Sequence, residues 1–286
     1  MAEPATRILT PAQIDAYRRD GYLCPIDGLG AAEVARLRAE FEAFEAQQGC
    51  KLGAMPRQVR AKTHLLFPWM ADLVRHPRIL DVVEDLVGPD ILVFHLTCWV
   101  KEPGDGAFVS WHQDGTYFHL EPAEHVTAWI GLSDSTPETG CVHVLPGSHR
   151  LGQLPHRSEA NAANLLSNGQ TVEATFDEAA KAPLIVRAGQ FSLHHTHILH
   201  QSSPNLGAER RTGIGISYIP TRVRHTGPRR LSASLVRGKD LFGHFDPEQR
   251  PRANFDAEAR AHHAAMCDRF FGTHGSARTA ALAGAA

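Results

Sequence analysis

The chain has few of the features that attach a protein to a membrane or to a nucleic acid. No stretch of the 286 residues approaches the roughly 20 apolar residues of a membrane span, and the first residues lack the apolar core of a signal peptide. The 29 basic and 31 acidic residues form no long run of one sign and leave a net charge of −2. This balance argues against a general electrostatic attraction to nucleic acid or to an anionic membrane.

Cysteine is also scarce. The five cysteines are odd in number, widely spaced and free of C-x-x-C pairs, so the sequence predicts neither a disulfide framework nor a zinc-thiolate site. This pattern suits a reducing compartment, and we expect a cytoplasmic protein. With 43% hydrophobic and 21% charged residues, the chain can build one sizeable core. We expect one domain over residues 1–274 and a disordered tail over residues 275–286.

The first third of the chain predicts helices. Thr10 begins a capping-box pattern with proline at the first helical position. A second helix is predicted over residues 31–48, where apolar residues recur at three- and four-residue spacings on one face. The segment 68–86 predicts short helices with a break before Pro77.

From Ile91 onwards, short strand-like runs replace the helices. Runs rich in β-branched and aromatic residues alternate with turn clusters that contain glycine and proline. The runs are ILVFHLTCWV, VTAWIGL, CVHVL, LIVRAG, FSLHHTHIL and TGIGISYI. Because no helices alternate with them, we predict a mainly β fold, an antiparallel sandwich or barrel with flanking helices. The polar, poorly periodic stretch 156–181 predicts an insert or lid near the mouth of the barrel.

Two H-x-D motifs compete as a metal site, at residues 112–114 and 244–246. With 18 histidines in the chain, about one such motif is expected by chance. Strand alternation would place His112 and Asp114 on one face, where an imidazole and a carboxylate supply two corners of a facial triad of two histidines and one carboxylate. The second motif runs directly into a proline, and we interpret His244 as a surface or loop residue.

The third ligand must come from another strand, and the four histidines of HHTHILH compete for that place. If the segment is one strand, His195 and His197 lie on the face opposite to His194 and His200. Of the latter two, His200 is at the strand end, before a polar turn and a returning strand. Arg211 follows eleven residues later. In a hairpin both residues would face one cavity, where a guanidinium matches the far carboxylate of a metal-bound diacid.

This order of residues resembles the phytanoyl-CoA dioxygenase-like family of Fe(II)- and 2-oxoglutarate-dependent oxygenases, which includes ectoine hydroxylase and natural-product tailoring enzymes. The resemblance rests on H-x-D, on H-x-S about ninety residues later, on arginine eleven residues after that histidine, and on the blocks DGYLCPIDGL, ILDVVEDLVGPDI, WHQDGTYF, TAWIGLSDSTPETGCVHVLPGSH and HQSSPN. It covers about residues 9–272. It implies a double-stranded β-helix, the cupin-like jelly roll, with N-terminal helices that buttress one sheet.

The resemblance also implies a reaction. His112, Asp114 and His200 become the catalytic Fe(II) ligands, with 2-oxoglutarate and O2 as cosubstrates. Related halogenases lack the carboxylate, so Asp114 favours hydroxylation of an aliphatic C–H bond over halogenation, while desaturation, epoxidation and cyclisation use the same chemistry. The expected substrate is a small metabolite or a carrier-protein-tethered acyl group in secondary metabolism. The alternative from another class is a non-oxidative cupin-like isomerase or metal-dependent binding protein, which needs no arginine placed for a diacid.

Further roles follow from the same resemblance. Arg211 and Ser202 resemble the pair that anchors the distal carboxylate of 2-oxoglutarate. Thr127 and Trp129 resemble residues of the cosubstrate pocket, although strand packing explains them equally well.

Other positions have two interpretations each. Tyr117 and Phe118 either line the substrate pocket or pack in the core. His149, in the sequence PGSH, is interpreted as part of a turn that shapes the barrel. Gly213 and Gly215 lie on the same face of the predicted strand as Arg211. Either they leave room for a ligand or they mark a bulge.

Overall fold

The computed structural model describes residues 7–272, so the outer ends of the expected domain and the expected tail lie outside the described residues. The α-helices are α1 (Pro11–Asp20), α2 (Ala31–Gln48), α3 (Pro68–Leu73), α4 (Pro77–Val87), α5 (Gly115–Phe118) and α6 (Ala257–Gly272). Short 3-10 turns cover Leu52–Ala54, Arg57–Arg60, Thr63–Leu65, Ser148–Leu151 and Glu178–Ala180. The strands are β1 (Tyr22–Asp27), β2 (Ile91–Lys101), β3 (Val109–His112), β4 (Leu120–Glu121), β5 (Val126–Gly131), β6 (Val142–Val144), β7 (His156–Ser158), β8 (Gln170–Val172), β9 (Ala182–Leu184), β10 (Gln190–His195), β11 (His200–Ser202), β12 (Arg211–Pro220), β13 (Arg224–His225), β14 (Ser232–Arg237) and β15 (Asp246–Pro247).

Two sheets form the body of the fold. The larger sheet has the order β1-β10-β5-β12-β2-β14-β15 and the smaller one the order β3-β11-β6-β9. Trp129 of the larger sheet packs with Val142 and Val144 of the smaller sheet in one buried cluster, so the sheets face each other. The mainly β prediction and the double-stranded β-helix implied by the resemblance are confirmed.

The N-terminal helices cover the outer face of the larger sheet, as the resemblance implied. Leu37 and Phe41 of α2 share a buried cluster with Ile214 and Ile216 of β12. Period-two alternation explains the arrangement, because residues at even positions of β12 face the helices while the intervening positions, beginning with Arg211, face the space between the sheets.

The predicted helix boundaries are confirmed. The side chain of Thr10 accepts from the backbone N–H of Gln13, and the Gln13 side chain accepts from the backbone N–H of Thr10, which closes the capping box. The second helix covers the predicted residues 31–48, and the break falls before Pro77. None of the helices within residues 7–272 is long and apolar enough to cross a membrane.

Two strand predictions were wrong in detail. The run FSLHHTHIL is not one strand, because β10 ends at His195, where Ile198 N–H donates to His195 O in a turn, and the chain continues in the other sheet. The alternation of side chains between the two faces of a strand therefore cannot be followed from His194 to His200. The run LIVRAG contributes only Leu184 to β9, and Val186 makes an isolated bridge with Ser135.

A buried charge cluster fixes the segment that joins α2 to α3. Lys62 Nζ lies 2.5 Å from Glu248 Oε1, and His64 Nε2 lies 3.0 Å from Glu248 Oε2. The hydroxyls of Ser232 and Ser234 also donate to this carboxylate. Because the pair is buried and the carboxylate has four partners, the connection holds the preceding 3-10 turn against the larger sheet.

Candidate metal centre and adjoining cavities

His112 and His200 are brought together by strand pairing. They are directly opposed partners on β3 and β11 of the smaller sheet, and their ring centroids lie 4.0 Å apart. Directly opposed residues of antiparallel strands are close enough for their side chains to meet. The two imidazoles, 88 positions apart in the sequence, are thus neighbours.

The hydrogen bonds of both rings fix which nitrogen is free. Nδ1 of His112 lies 2.9 Å from Ser110 O, and Nδ1 of His200 lies 3.1 Å from Ile198 O. A carbonyl oxygen can only accept, so each Nδ1 carries the proton and donates. Each Nε2 therefore keeps its lone pair and faces Asp114, which is the tautomer that a metal ligand requires.

Asp114 joins the two histidines from outside the strand. β3 ends at His112, and Asp114 has helical backbone angles just before α5, so the expected alternation of His112 and Asp114 along one strand was wrong. The turn nevertheless places Asp114 Oδ1 3.7 Å from His112 Nε2 and 3.8 Å from His200 Nε2. One ligand atom from each residue lies within 4.8 Å of the others, so a single ion can bond all three.

The charges of the group also suit a cation. Burial raises the pKa of the Asp114 carboxyl, but the imidazoles of His112, His194 and His200 outweigh burial and hold that pKa well below its usual range. Burial, followed by the neighbouring His112, lowers the pKa of His200 well below its usual value. One carboxylate beside two imidazoles is the donor set of a facial triad for Fe(II).

The second oxygen of Asp114 is held by Thr127 of β5. The Thr127 hydroxyl donates to Asp114 Oδ2 at 2.8 Å, and His194 Nε2 lies 3.6 Å from the same oxygen. Thr127 thus orients the carboxylate. Both Thr127 and His194 also line the cavity next to the three ligands.

Thr127→Val is expected to weaken Fe(II) binding by about 10- to 100-fold, because the methyl group cannot hold Oδ2 and the carboxylate loses its fixed orientation. Competition with a fluorescent chelator measures the dissociation constant. Thr127→Ser keeps the hydroxyl and should bind Fe(II) like the wild type. Equal affinities of the Val and Ser variants would contradict a role for the hydroxyl.

Arg211 lies at the far side of this first cavity. Its side chain is buried, with 1% exposed, and its guanidinium carbon lies 5.2 Å from the ring centroid of Trp129. Burial lowers the pKa of Arg211 to about 10, so it is charged at neutral pH. Its Nε has no hydrogen-bond partner, and no carboxylate within residues 7–272 forms an ion pair with it. A buried cation without a counter-ion suits an anionic ligand.

The route by which His200 and Arg211 reach one cavity differs from the expected hairpin. β11 pairs with β3 and β6, whereas β12 pairs with β2 and β5. The two residues therefore approach each other across the space between the sheets. The first cavity is lined by both of them together with His112, Asp114, Thr127 and Trp129.

Ser202 also lines this cavity, but its hydroxyl is already engaged. It donates to Gly140 O at 3.0 Å and accepts from Lys101 Nζ. The Lys101 ammonium also donates to the backbone oxygens of Ser202 and Ser203. Burial, followed by the charge of Arg211, lowers the pKa of Lys101 to about 6.

Sequence reasoning missed Lys101. The signal was a lysine at the end of an otherwise apolar run, on the strand parity of Trp99. A lysine is almost never fully buried unless its ammonium is paired. In the sheet it is paired with Arg211.

A second cavity adjoins the first one and is called here the substrate cavity. It reaches His112 and Asp114 and is walled by Tyr117 and Phe118 of α5, which were predicted either to line a pocket or to pack in the core. The predicted insert 156–181 forms the antiparallel ribbon β7-β8 and contributes Leu165, Leu166 and Ser167 to the wall. Arg57 and Arg60, which sequence reasoning did not single out, line it as well.

The remaining candidates lie elsewhere or have another purpose. His149 lies in a turn, as predicted, and its Nε2 lies 3.1 Å from Arg18 O. In the second H-x-D motif, Asp246 pairs with Arg230 and Arg269.

Gly213 and Gly215 leave room for tryptophan rings and not for a ligand. A Cβ at Gly213 would overlap the ring of Trp129, and one at Gly215 would lie 2.9 Å from Nε1 of Trp99. The two rings need this space because they lie across the neighbouring strands of the sheet.

Comparison with known proteins decides the family. Residues 17–213 match the sequence profile of phytanoyl-CoA dioxygenase (PhyH). The chain belongs to the PhyH family. Ectoine dioxygenase of Nocardia farcinica is 30% identical over 76% of this chain and 83% of that protein. L-proline trans-4-hydroxylase of Streptomyces griseoviridis is 27% identical over 73% of this chain and 85% of that protein.

A further relative and two solved structures also match this chain. A probable alpha-ketoglutarate-dependent hypophosphite dioxygenase of Stutzerimonas stutzeri is 29% identical, and the match spans 66% of this chain but only 65% of that protein. Among solved structures, the non-heme monooxygenase ThoJ superposes with a TM-score of 0.80 at 34% identity, over 91% of this chain and 96% of that one. CytC3 with Fe(II) and alpha-ketoglutarate has a TM-score of 0.62 at 22% identity, over 86% of this chain and 100% of that one, and supports the fold alone.

The resemblance found in the sequence is thereby confirmed. This PhyH protein is a non-haem Fe(II)- and 2-oxoglutarate-dependent dioxygenase that uses O2. The non-oxidative isomerase or binding protein is excluded by the same comparisons. The individual roles of the ligands, of Arg211, of Ser202 and of Trp129 stay predictions.

Proposed function

We propose that this dioxygenase hydroxylates an aliphatic C–H bond of a small molecule or a carrier-bound acyl group in secondary metabolism. The observation that carries the proposal is Asp114, a carboxylate, beside the free Nε2 atoms of His112 and His200. Relatives named as an L-proline hydroxylase and an ectoine dioxygenase support a small-molecule substrate.

The donor set fits Fe(II), and each residue has a defined task. His112 and His200 would bind the metal through Nε2, and Asp114 would bind it through Oδ1. Fe(II) with 2-oxoglutarate and O2 supplies oxidation of a substrate C–H bond coupled to decarboxylation of the 2-oxo acid to succinate. The protein contributes geometry, because the backbone carbonyls behind both Nδ1 atoms prevent the imidazoles from turning.

Arg211 would hold the cosubstrate. A guanidinium can donate two parallel hydrogen bonds to the distal carboxylate of 2-oxoglutarate. Its face lies against Trp129, which fixes the plane of the fork. Ser202, held by Lys101 and Gly140, contributes an oxygen beside it.

Asp114 also supports hydroxylation over halogenation. A halide needs a free metal position, and here a carboxylate held by Thr127 would fill that position. Tyr117, Phe118 and the insert line the substrate cavity, where a bound substrate covered by these walls would be shielded from water.

Mass spectrometry of a substrate panel tests the proposal. The enzyme is incubated with Fe(II), ascorbate and 2-oxoglutarate together with free amino acids, CoA thioesters, carrier-tethered acyl groups or alkaloid-like metabolites. We expect one class to give a product 16 mass units heavier and succinate in equal amount. A chlorinated, desaturated or cyclised product would contradict hydroxylation. If succinate never exceeds the level obtained without a panel member, none of these classes is the substrate and the proposal is wrong.

A further inference from the structure

Arg57 and Arg60 form a positively charged part of the wall of the substrate cavity. Both lie on one 3-10 turn and line the cavity that also reaches His112 and Asp114. Neither has an acidic partner, since within residues 7–272 no Asp or Glu forms an ion pair with either guanidinium. Arg210, in contrast, is paired with two carboxylates.

The protein contacts of these arginines are backbone oxygens of the insert. Arg57 donates to Asn164, Leu166 and Ser167 over 3.3 to 3.5 Å, and Arg60 Nη2 donates to Leu165 O at 2.9 Å. A carbonyl offers only a partial charge to a guanidinium. Arg60 keeps its Nε and Nη1 donors without a protein acceptor among the described residues.

The charged groups of the two cavities do not balance the positive charges of Arg57 and Arg60. With the cofactors of the proposed function bound, Fe(II) and Arg211 contribute three positive charges, while Asp114 and 2-oxoglutarate contribute three negative ones. The metal and cosubstrate set is therefore neutral. Burial, followed by the charge of Arg57, lowers the pKa of Arg60 to about 10, so Arg60 is still charged at neutral pH. Two like charges side by side in a partly buried cavity are unfavourable unless an anion binds between them.

Much of the remaining wall is apolar. Trp99, Phe118, Leu166 and Phe271 line the cavity together with Tyr117, and the polar side chains of His95, Thr97, Ser167 and Gln170 complete its wall. Such a wall suits a hydrocarbon body, and the few polar groups that converge at one end of a pocket fix the orientation of its ligand.

We propose that the substrate carries an anionic group, a carboxylate or a phosphate, that binds Arg57 and Arg60 and holds an apolar body against the metal centre. This inference rests on the proposed function and names its substrate class. Guanidinium pairs recognise both oxyanions through bidentate hydrogen bonds. Anchoring one end of the substrate would also decide which C–H bond faces the iron ligands.

Binding of matched probes to the anaerobic enzyme with Fe(II) and saturating 2-oxoglutarate tests the proposal. The probes are octanoate, octyl phosphate and the neutral octanamide, and calorimetry gives their dissociation constants. We expect the better anion to bind at least about tenfold more tightly than octanamide. The stronger of the two anions identifies a carboxylate or a phosphate as the group.

Arg57 and Arg60 both carry a positive charge and hold the insert through hydrogen bonds, and two double variants separate these two effects. Arg57→Gln with Arg60→Gln should abolish the preference for an anion, whereas Arg57→Lys with Arg60→Lys should retain most of it. Arg157→Gln removes an exposed arginine of the same insert, whose only ion pair among the described residues is with Glu159, and this variant should bind all probes like the wild type.

The outcomes distinguish this inference from the function on which it rests. The visible charge-transfer band of chelated 2-oxoglutarate reports the proposed cofactor chemistry, and its absence from the wild type would overturn both proposals. If the band forms but the three probes bind equally or not at all, only the anionic substrate is excluded. The inference is also overturned if the Gln double variant lowers 2-oxoglutarate affinity as much as anion affinity, because the arginines would then serve the cosubstrate.

Discussion

Asp114→Ala should lower hydroxylated product by at least about 100-fold, the largest loss expected of any single substitution in this chain. Removing a direct ligand costs more than the 10- to 100-fold typical of a residue that only orients a ligand. Asp114 Oδ1 lies 3.7 Å from His112 Nε2 and 3.8 Å from His200 Nε2, and within residues 7–272 Asp114 is the carboxylate that groups with these two histidines. Product formation at saturating 2-oxoglutarate is the measurement.

The variant need not lose its metal. His112 and His200 retain their fixed tautomers, and 2-oxoglutarate supplies two further donors. We therefore expect a charge-transfer band in the anaerobic variant despite the loss of product. Chlorination is not expected from this change alone, because chloride binding also depends on the groups around the metal.

The other H-x-D motif provides the matched control. Asp246 lies in the same type of sequence motif but pairs with Arg230 and Arg269 near the surface. Asp246→Ala should leave product formation within about twofold of the wild type, since exposed ion pairs contribute about 0–1 kcal/mol to stability. Wild-type activity in Asp114→Ala would instead show that Asp114 is not a ligand.

Sequence patterns could predict which residues meet, because the constraints on metal ligands are chemical and local. H-x-D near residue 112 differed from H-x-D near residue 244 by the histidine and arginine that follow it at a distance. Helix boundaries were equally accessible. Thr10 caps the start of α1 through hydrogen bonds, and Pro77 begins α4 because of the fixed geometry of proline. Both effects involve only a few neighbouring residues.

The geometry that joins the residues was less predictable. Strand alternation was used to place Asp114 with His112, and a hairpin was used to place Arg211 with His200. The structure achieves the first with a helical turn and the second across two sheets. Long-range strand pairing decides where a strand ends and where the chain passes from one sheet to the other. A period-two sequence pattern carries no information on that pairing.

Partner-dependent residues were beyond sequence reasoning for the same reason. Lys101, Arg57 and Arg60 become informative only when the structure shows that they donate to backbone and hydroxyl oxygens and that none of them forms an ion pair with an Asp or Glu of residues 7–272. From the sequence alone, Arg210 is predicted to lie near the turn before the returning strand and to be exposed, and this prediction was wrong because its partner lies far away in the sequence. Arg210 is mostly buried, its guanidinium forms an ion pair with Glu45 of α2, and its Nε lies 2.8 Å from Glu102 Oε1.

Arg211→Ala and Arg210→Ala are consequently expected to damage different properties of the protein. Arg211 faces the first cavity, and no carboxylate of residues 7–272 forms an ion pair with it, whereas Arg210 is paired with Glu45 of α2 and with Glu102. Neighbouring strand residues point to opposite faces. Truncating a buried arginine that binds a carboxylate costs about 2 kcal/mol or more. Since ~1.4 kcal/mol corresponds to a factor of ten, Arg211→Ala should raise the KM for 2-oxoglutarate at least about tenfold.

Arg210→Ala should leave that KM within about twofold and lower the thermal stability instead. It leaves the carboxylate of Glu45, whose side chain is 3% exposed, without its main partner. Burial raises the pKa of Glu45, but the hydrogen bonds from Arg210 and from Leu52 N–H hold it below its usual value. Loss of a buried ion-pair partner costs about 3 kcal/mol, so Tm should fall by roughly 6 °C or more.

Arg211→Lys completes the comparison. The ammonium preserves the charge but not the two parallel hydrogen bonds, and it loses the stacking on Trp129, so it should restore only part of the 2-oxoglutarate affinity. Initial rates over a 2-oxoglutarate series and thermal melts of the three variants provide both readouts. A large rise in KM for Arg210→Ala with none for Arg211→Ala would mean that the strand is shifted by one residue. In that case Arg211 would face α2, its guanidinium would not lie against Trp129, and it could not bind 2-oxoglutarate in the first cavity.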